Sequence, residues 1–447
     1  MAESEWISAA EAARRLGIKQ ATLYSYVSRG VLTRRRAGAS RAGGGREAGG
    51  GREAGGGAGS RGGGASSLFD PGEVEELARR GRPRRPPGLA GLVIESGVTE
   101  IAGDGLWFRG LDALDLARDW DFEDVCELLW FGPPRPSPPA RAGEWQAVPA
   151  AVQAGTAAQA ALPPGTYPLE RLQVIVPALA AADPLRLQFD PPAVAAAGRG
   201  IIAGLVECLP PAAPAGPGRS AGPGTPAAAA GIPARLWPRL CPDDPAPALL
   251  DALRAALVLL SDHELAASTL AARVAASVRA DPYAVVATGL GAVGGALHGG
   301  ASLGAETMLA AAQDAAAGPR VVGELLRRGE RVPGFGHFVY RGGDPRAGLL
   351  LAMVRSAVPA SPRLAVVDAV LAEMHRRALP EPNIDFALAV LASCAGMIRG
   401  AGEVIFAVAR TAGWLAHALE EYTASTPLRP RAVYTGPAHR QADPGQR

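Results

Sequence analysis

Cysteine is scarce in this 447-residue chain. Cys126, Cys208, Cys241 and Cys394 are scattered, and no CxxC pair occurs. That spacing offers neither a disulfide framework nor a zinc site. Histidine is also sparse: there are six, with neither HxxxH nor HExxH spacing, which argues against a metal hydrolase. Aromatic residues make up 5% and alanine is abundant, a balance that favours close-packed helices over a sandwich or barrel. Lys19 is the only lysine. The opening MAESEWIS carries acids where a signal peptide needs basic and then apolar residues. The long uncharged stretch from Tyr283 to Ala305 is rich in Ala and Gly and contains His298, which argues against a membrane span. The expectation is a reduced, cytoplasmic protein with no membrane partner.

Apolar residues reach 48% and charged residues 20%, enough to bury a sizeable core, and the length suggests two or three domains. Net charge is +2 but unevenly spread. Residues 1–90 hold 16 basic and 9 acidic side chains, whereas residues 91–447 hold 29 and 34. The basic head contains WISAAEAARRLGIKQATLYSYVSRGVL. Ser8 and Glu11 have capping-box spacing, Ala12, Ala13 and Leu16 share a face, and Gly17 ends the helix. A second helix is expected over Gln20 to Arg29, with Leu23 and Val27 inward and Gly30 as its stop. This segment resembles the helix-turn-helix head of MerR and excisionase-like proteins. That resemblance implies DNA contact through Gln20, Thr22, Tyr24, Ser25 and Arg29, with Arg34 to Arg36 on phosphates.

The repeat GGGREAGGGREAGGG, within residues 38–66, stands where a winged head carries its wing and cannot bury a core. LFDPGEVEELARR (68–80) reads as the closing helix of the head, and residues 81–87 as a basic, proline-rich linker. From Gly88 to Gly436 helical patterns alternate with Pro/Gly breaks, apart from a hairpin expected within 91–109. Residues 132–142 and 209–233 read as loop insertions, and the tail after Gly436 as disordered.

Three histidines stand in unusual company: His263 in LSDHELAAST, His298 among glycines in GGALHGGAS, and His337 in PGFGHFVYRGGDPRA. Glycines beside a histidine let backbone or ligand approach closely. Gly289, Gly291 and Gly294 spell GxGxxG, but no alternating strand–helix pattern surrounds them, and Glu306 and Asp314 fall in an alanine-rich helical run. A dinucleotide site is therefore not expected.

From Gly88 to Gly436 the chain resembles the citrate synthases. FRG (108–110) and DFEDVCELLW (121–130) resemble the N-terminal signature of that family. DHELAAST (262–269), GALHGGAS (295–302), GFGHFVYRGGDPRA (334–347), PNIDF (382–386), IFAVARTAGWLAH (405–417) and LRPRAVYTG (428–436) follow in register. The resemblance extends to 2-methylcitrate synthases, which share the scaffold. It implies a mainly helical, two-domain body behind the head: a large domain of 88–298 and 401–436, and a small domain of 299–400.

The implied reaction condenses acetyl-CoA, a co-substrate and not a resident cofactor, with oxaloacetate. A thioester α-proton is very weakly acidic, so a carboxylate must be aimed at it while a donor stabilises the forming enolate. By motif position Asp385 would be the base. His298 would donate to the thioester carbonyl, and His337 would polarise the ketone. Arg346, Arg410 and Arg429 would hold the two carboxylates of oxaloacetate, with Arg429 serving the neighbouring subunit of a homodimer. His263 would touch the dicarboxylate and Arg341 the CoA phosphates. No metal is implied.

Each residue alone also has a plainer reading. Asp385 opens a helix, where the dipole favours an acid. Arg410 could cap a helix end, and Arg346 and Arg429 neighbour prolines as turn residues do. The chain also departs from many family members: Phe338 follows His337 where arginine is common, Ala266 replaces an asparagine, and Leu260 replaces a histidine. Two other functions stay open. Propionyl-CoA would give 2-methylcitrate. Alternatively, DNA binding through residues 1–80 would make the chain a regulator with a metabolite-sensing body.

Overall fold

The computed structural model describes residues 6–16, 32–36, 67–74, 94–133, 145–212, 230–296, 298–340, 342–424, 426–432 and 434–436. The chain divides into two compact units, Met1–Val93 with Pro430–Arg447, and Ile94–Arg429.

In the first unit β1 (Ile7–Ser8) leads into α1 (Ala9–Leu16), and β2 (Arg34–Arg36) and β3 (Ser67–Phe69) complete an antiparallel sheet of order β1-β3-β2. The expected cap is present, because Ser8 Oγ accepts from the Glu11 N–H at 3.2 Å. Ala12 and Ala13 turn inward onto Leu32, Phe69 and Val74. Strands β2 and β3 pair Arg34 with Phe69 and Arg36 with Ser67, so they bracket the segment that carries the glycine repeat. The expected helix at Gln20 to Arg29, the repeat itself, the linker 81–87 and the tail after Gly436 lie outside the described residues.

The second unit opens with the expected hairpin, β4 (Thr99–Ala102) and β5 (Gly105–Phe108), followed by β6 (Leu111–Asp112). Helices then follow: α2 (Ala113–Asp119), α3 (Phe122–Phe131), α4 (Pro149–Ala160), α5 (Pro168–Ala181), α6 (Pro191–Cys208), α7 (Ile232–Leu240) and α8 (Pro247–Leu260). The series continues through α9 (Ala267–Ser277), α10 (Pro282–Val293), α11 (Gly300–Ala311), α12 (Ala317–Arg327), α13 (Pro345–Ala357), α14 (Pro362–Arg376), α15 (Ile384–Ala395) and α16 (Ala401–Thr423). Seven of the 40 prolines serve to start these helices. Pro149, Pro168, Pro191, Pro247, Pro282, Pro345 and Pro362 each open one, where a missing N–H is no loss. Asp190, Asp281, Asp344, Ser361 and Asn383 supply side-chain caps. No helix among the described residues is long and apolar enough to cross a membrane.

Helix α16 organises the unit. Nearly all of its 23 residues are buried, and α3, α5, α6, α8, α9, α10, α11 and α15 pack around it. A helix buried on nearly every side, as this one is in spite of Glu403, Arg410, His417 and Glu421, is a core element. Small residues let its neighbours approach. A Cβ on Gly289 of α10 would come within 2.5 Å of the Trp414 ring, and one on Gly198 of α6 within 2.9 Å of Leu415. Gly289 and Gly291 therefore lie inside a helix and Gly294 ends it, as the rejection of a dinucleotide loop requires. Asp314 lies beyond the end of α11, in the turn before α12, and not in the helical run as the sequence suggested. Overpacking a tight core costs about 1–3 kcal/mol. Gly289→Val should lower stability by that amount, read as a lower urea midpoint with an unchanged slope.

Candidate active site

Six elements deliver the polar residues of the site. His263 lies in the turn between α8 and α9, and His298 in the turn between α10 and α11. His337 lies in the loop after α12, Arg346 in the first turn of α13, and Asp385 in the first turn of α15. Arg410 projects from the middle of α16 and reaches the last carbonyl of α8, at Leu260.

Helix starts fix two of these groups. Asp344 caps α13, accepts the Ile384 N–H at 3.0 Å, and forks to Arg346 through Nε at 2.9 Å and Nη2 at 2.8 Å. One carboxylate thus ties the start of α13 to the start of α15. Asn383 caps α15 through the N–H groups of Asp385 and Phe386, and its side-chain amide donates to the Gly336 carbonyl at 2.9 Å. The loop of His337 is thereby tied to the helix of Asp385.

The imidazoles form a connected group. His263 and His337 have ring centroids 5.2 Å apart, and Tyr340 stands 5.5 Å from the first and 4.7 Å from the second. The Tyr340 hydroxyl and His263 Nε2 are 3.0 Å apart. His337 Nδ1 accepts from the backbone N–H groups of Val339 at 3.0 Å and Tyr340 at 3.3 Å. An uncharged His337 ring therefore carries its proton on Nε2, as a donor. His298 Nε2 lies 2.8 Å from Ser268 Oγ, and its ring meets Phe406 edge-on at 5.6 Å. Asp385 Oδ1 accepts from Ser302 Oγ at 2.6 Å.

Two buried guanidiniums join these groups electrostatically. Arg346 and Arg410 are 2% and 1% exposed. Arg410 Nε donates to the Leu260 carbonyl at 2.8 Å, and its plane lies 4.6 Å over the Phe406 ring. Its Nη1 is buried and finds no hydrogen-bond partner among the described residues. Burial and Arg346 push its pKa down to about 10, although Asp262 opposes them. Burial lowers the pKa of His263 well below the usual value, helped by Arg346 and Arg410. Burial and then Arg410 bring His298 down to about 4. His337 is lowered by burial and Arg346, against Asp344. Asp385 goes the other way: burial raises it to about 6, although the Ser302 hydrogen bond and Arg346 pull it down. Near neutral pH the site thus holds uncharged imidazoles beside an ionised carboxylate of raised basicity.

A buried network supports the His263 turn. Asp262 Oδ2 accepts from Thr99 Oγ1 at 2.5 Å and lies 3.3 Å from His417 Nε2. His417 Nδ1 takes a hydrogen bond from Arg273 at 2.7 Å, and Arg273 pairs with Glu420 and Glu421 at 2.6 Å. A Cβ on Gly413 would collide with Asp262, so α16 must carry glycine there.

The structure brings His263, His298, His337, Asp385, Arg346 and Arg410 into one electrostatic group. Arg429 is exposed and shares none of these contacts, and Arg341 lies outside the described residues. Sequence reasoning passed over Tyr340, Ser268, Ser302, Asp262, Asp344 and His417. All stand inside or beside the motifs already read, and Asp344 had a usable signal as an acid just before a helix-opening proline. Phe338 is fully exposed, Leu260 serves through its backbone carbonyl, and Ala266 caps α9 without a side-chain bond. Among the described residues no cluster of three or more His, Cys, Asp or Glu side chains could hold a metal ion.

The pKa shifts of His298 and Asp385 have opposite consequences for stability. The unfolded chain protonates histidine near 6.5 while folded His298 resists until about 4, so this term is lost as pH falls through that window. Folded Asp385 keeps its proton up to about 6 while the unfolded carboxyl loses it near 3.8, so this term is lost as pH rises. Between pH 4 and 6, the stability of Asp385→Asn relative to wild type should climb with pH. That of His298→Asn should fall. Urea midpoints at a series of pH values measure both.

Residues 88–431 match the family described as citrate synthase, C-terminal domain. Citrate synthase 2 of Bacillus subtilis (strain 168) is 32% identical over 384 residues, covering 78% of this chain and 95% of that protein. A 2-methylcitrate synthase of Mycobacterium tuberculosis (strain H37Rv) is 29% identical over 365 residues, covering 79% of this chain and 91% of that protein. Among solved structures, the citrate synthase of Pyrobaculum aerophilum superposes with a TM-score of 0.63 at 25% identity, over 79% of this chain and 92% of that one.

Proposed function

Because the chain belongs to the citrate synthase family, we propose that it joins the methyl carbon of acetyl-CoA to the keto carbon of oxaloacetate and releases citrate and CoA after hydrolysis. The observation that carries this reading is the buried Nη1 of Arg410, unpartnered among the described residues, in a site that also buries the Arg346 fork. A buried donor without an acceptor is costly, and a substrate carboxylate is the acceptor it lacks.

In this reading Asp385 takes the α-proton of the thioester. A carboxylate raised to about 6 is a stronger base than a solvated one and still ionised at neutral pH. His298, held neutral, donates to the thioester oxygen as enolate charge develops, so no extra cation is buried. The enolate carbon attacks the ketone, forming the new C–C bond. His337 Nε2–H stabilises the resulting alkoxide and supplies its proton. Water then cleaves the citryl thioester, and CoA leaves as the thiol. Arg346, Arg410 and His263 hold the dicarboxylate, and Arg429 of a second copy completes the clamp in a homodimer. Arg341 takes a CoA phosphate. A large domain of 88–298 and 401–436 and a small domain of 299–400 would close on oxaloacetate before the thioester binds. Closure excludes water and limits idle hydrolysis. The site of action is the cytoplasm.

Propionyl-CoA remains the rival donor, favoured by the 2-methylcitrate synthase relative. One methylene changes discrimination by about 1–3 kcal/mol, so kcat/KM on the two thioesters decides between them. In a thiol-release assay Asp385→Asn should lower kcat by about 100-fold or more. Wild-type kcat/KM should fall below a pH of about 6 as Asp385 gains its proton. A wild type as inactive as the variant on both thioesters would defeat the reading.

For the head we propose a winged helix-turn-helix module, supported by the Ser8 cap and by β2 and β3 standing on either side of the glycine repeat. If it binds DNA specifically, a cognate duplex should shift at salt concentrations that abolish binding to random sequence. Equal affinity for both would leave it an assembly element.

A further inference from the structure

The carboxylate of Asp385 is gripped at one oxygen only. Ser302 Oγ donates to Oδ1 at 2.6 Å, and Oδ2 takes no hydrogen bond among the described residues. Ser302 is wholly buried, whereas Asp385 is half-buried. A contact this short is typical of a hydroxyl on an ionised carboxylate. The reaction steps assigned above give Ser302 no part.

The surroundings of Ser302 hold it in place. It lies in the first turn of α11, where its own N–H donates to the Gly299 carbonyl at 3.1 Å. A Cβ on Gly402 of α16 would come within 3.2 Å of the Ser302 Cβ, so the two helices meet closely at this point. One turn further along α11, Glu306 accepts the N–H groups of Gly400 and Gly402 at 2.7 and 2.8 Å. The helix that carries Ser302 is thus fastened to the start of α16, while the Asn383 cap fixes the start of α15 where Asp385 stands. His298 precedes Ser302 by four residues. One helix start therefore sets both the donor to the thioester and the hydroxyl on the base.

Arg346 and Asp344 of α13 and Arg410 of α16 also act on Asp385. Their hydrogen bonds run elsewhere: Arg346 forks to Asp344, and Arg410 donates to the Leu260 carbonyl. Of the other helices packed on α15, α8 pairs Arg254 with Asp251, and α14 pairs Glu373 with Arg376 and Arg377. The charges set a field at Asp385, but a field does not aim an oxygen. A hydrogen bond does, because it weakens steeply off its axis. We propose that Ser302 is a positioning residue for the condensation, occupying Oδ1 so that Oδ2 faces the thioester and takes the α-proton. The C–H electron pair passes into the enolate, and Ser302 keeps its own proton throughout. The hydroxyl also favours the ionised form of the base. This role rests on the condensing reading above.

Ser302→Ala and Ser302→Cys in the full chain test it. Cysteine fills nearly the same space but is a weak donor, so it separates the hydrogen bond from the packing and keeps the test valid if Ser302→Ala fails to fold. In both variants the acid limb of kcat/KM should move up by about one pH unit, because the ionised carboxylate loses its hydrogen bond. Above that limb kcat should fall about tenfold or more as the base loses its aim, with the KM for oxaloacetate little changed. A second readout needs no turnover. The stability difference between each variant and its own Asp385→Asn double variant changes with pH up to the pKa of folded Asp385, near 6 in the wild type. That upper edge should rise with the kinetic limb. A wild type inactive on both thioesters would sink the condensing reading itself. An active wild type whose acid limb or kcat is unchanged in the variants overturns the role of Ser302 alone. So does a wild-type pH profile in Ser302→Cys with loss only in Ser302→Ala, which would make Ser302 a filler of space.

Discussion

Two buried arginines that repel one another are the constraint from which the rest follows. Arg346 keeps its charge because Asp344 forks to it, both groups being almost wholly out of solvent. Arg410 has no such partner. It rests on a backbone carbonyl and an aromatic face, and its pKa sinks toward about 10 while it remains charged at neutral pH. Burial, and then their positive field, disfavours any further cation, so the neighbouring imidazoles stay neutral. The same field partly restrains the rise of Asp385 that burial causes. The histidines work as hydrogen-bond donors in this environment because protonating them would place a third positive charge in a dry pocket.

Holding such charges requires a rigid frame. Helix α16 supplies it by being buried on nearly every face, and its glycines let other elements come close. Gly413 makes room for the Ser261–Asp262 turn, which carries His263 at its end. Arg273, Glu420, Glu421 and His417 tie that turn to the last part of the same helix. The caps at Asp344 and Asn383 do the equivalent for His337 and Asp385. In each case a reactive side chain sits one or two residues from a backbone position that several hydrogen bonds over-determine.

Much of this was legible in the sequence, and the gaps have physical reasons. Proline and glycine breaks act locally, so a mainly helical body between Gly88 and Gly436 could be read, although its individual helix starts were not. His263, His298, His337, Asp385, Arg346 and Arg410 stood in ordered motifs, although nothing local told that they converge. The resemblance supplied that. Tyr340, Ser268 and Ser302 were missed because a hydroxyl that positions a neighbour leaves no spacing signature. Arg346 looked like a turn residue beside a proline, and only its burial shows otherwise. The assignment of Asp314 to the helical run failed because alanine continues past the end of α11 without a glycine or proline to mark it.

The hydrogen bond from Arg410 to the Leu260 carbonyl carries a further implication for how this chain can change. Every residue type presents the same main-chain oxygen. The seat of the guanidinium is therefore insulated from drift at position 260, provided that the helix end keeps its path. A departure that looked like the loss of a working group leaves the anchoring of Arg410 untouched and frees the side chain at 260 to answer only to packing.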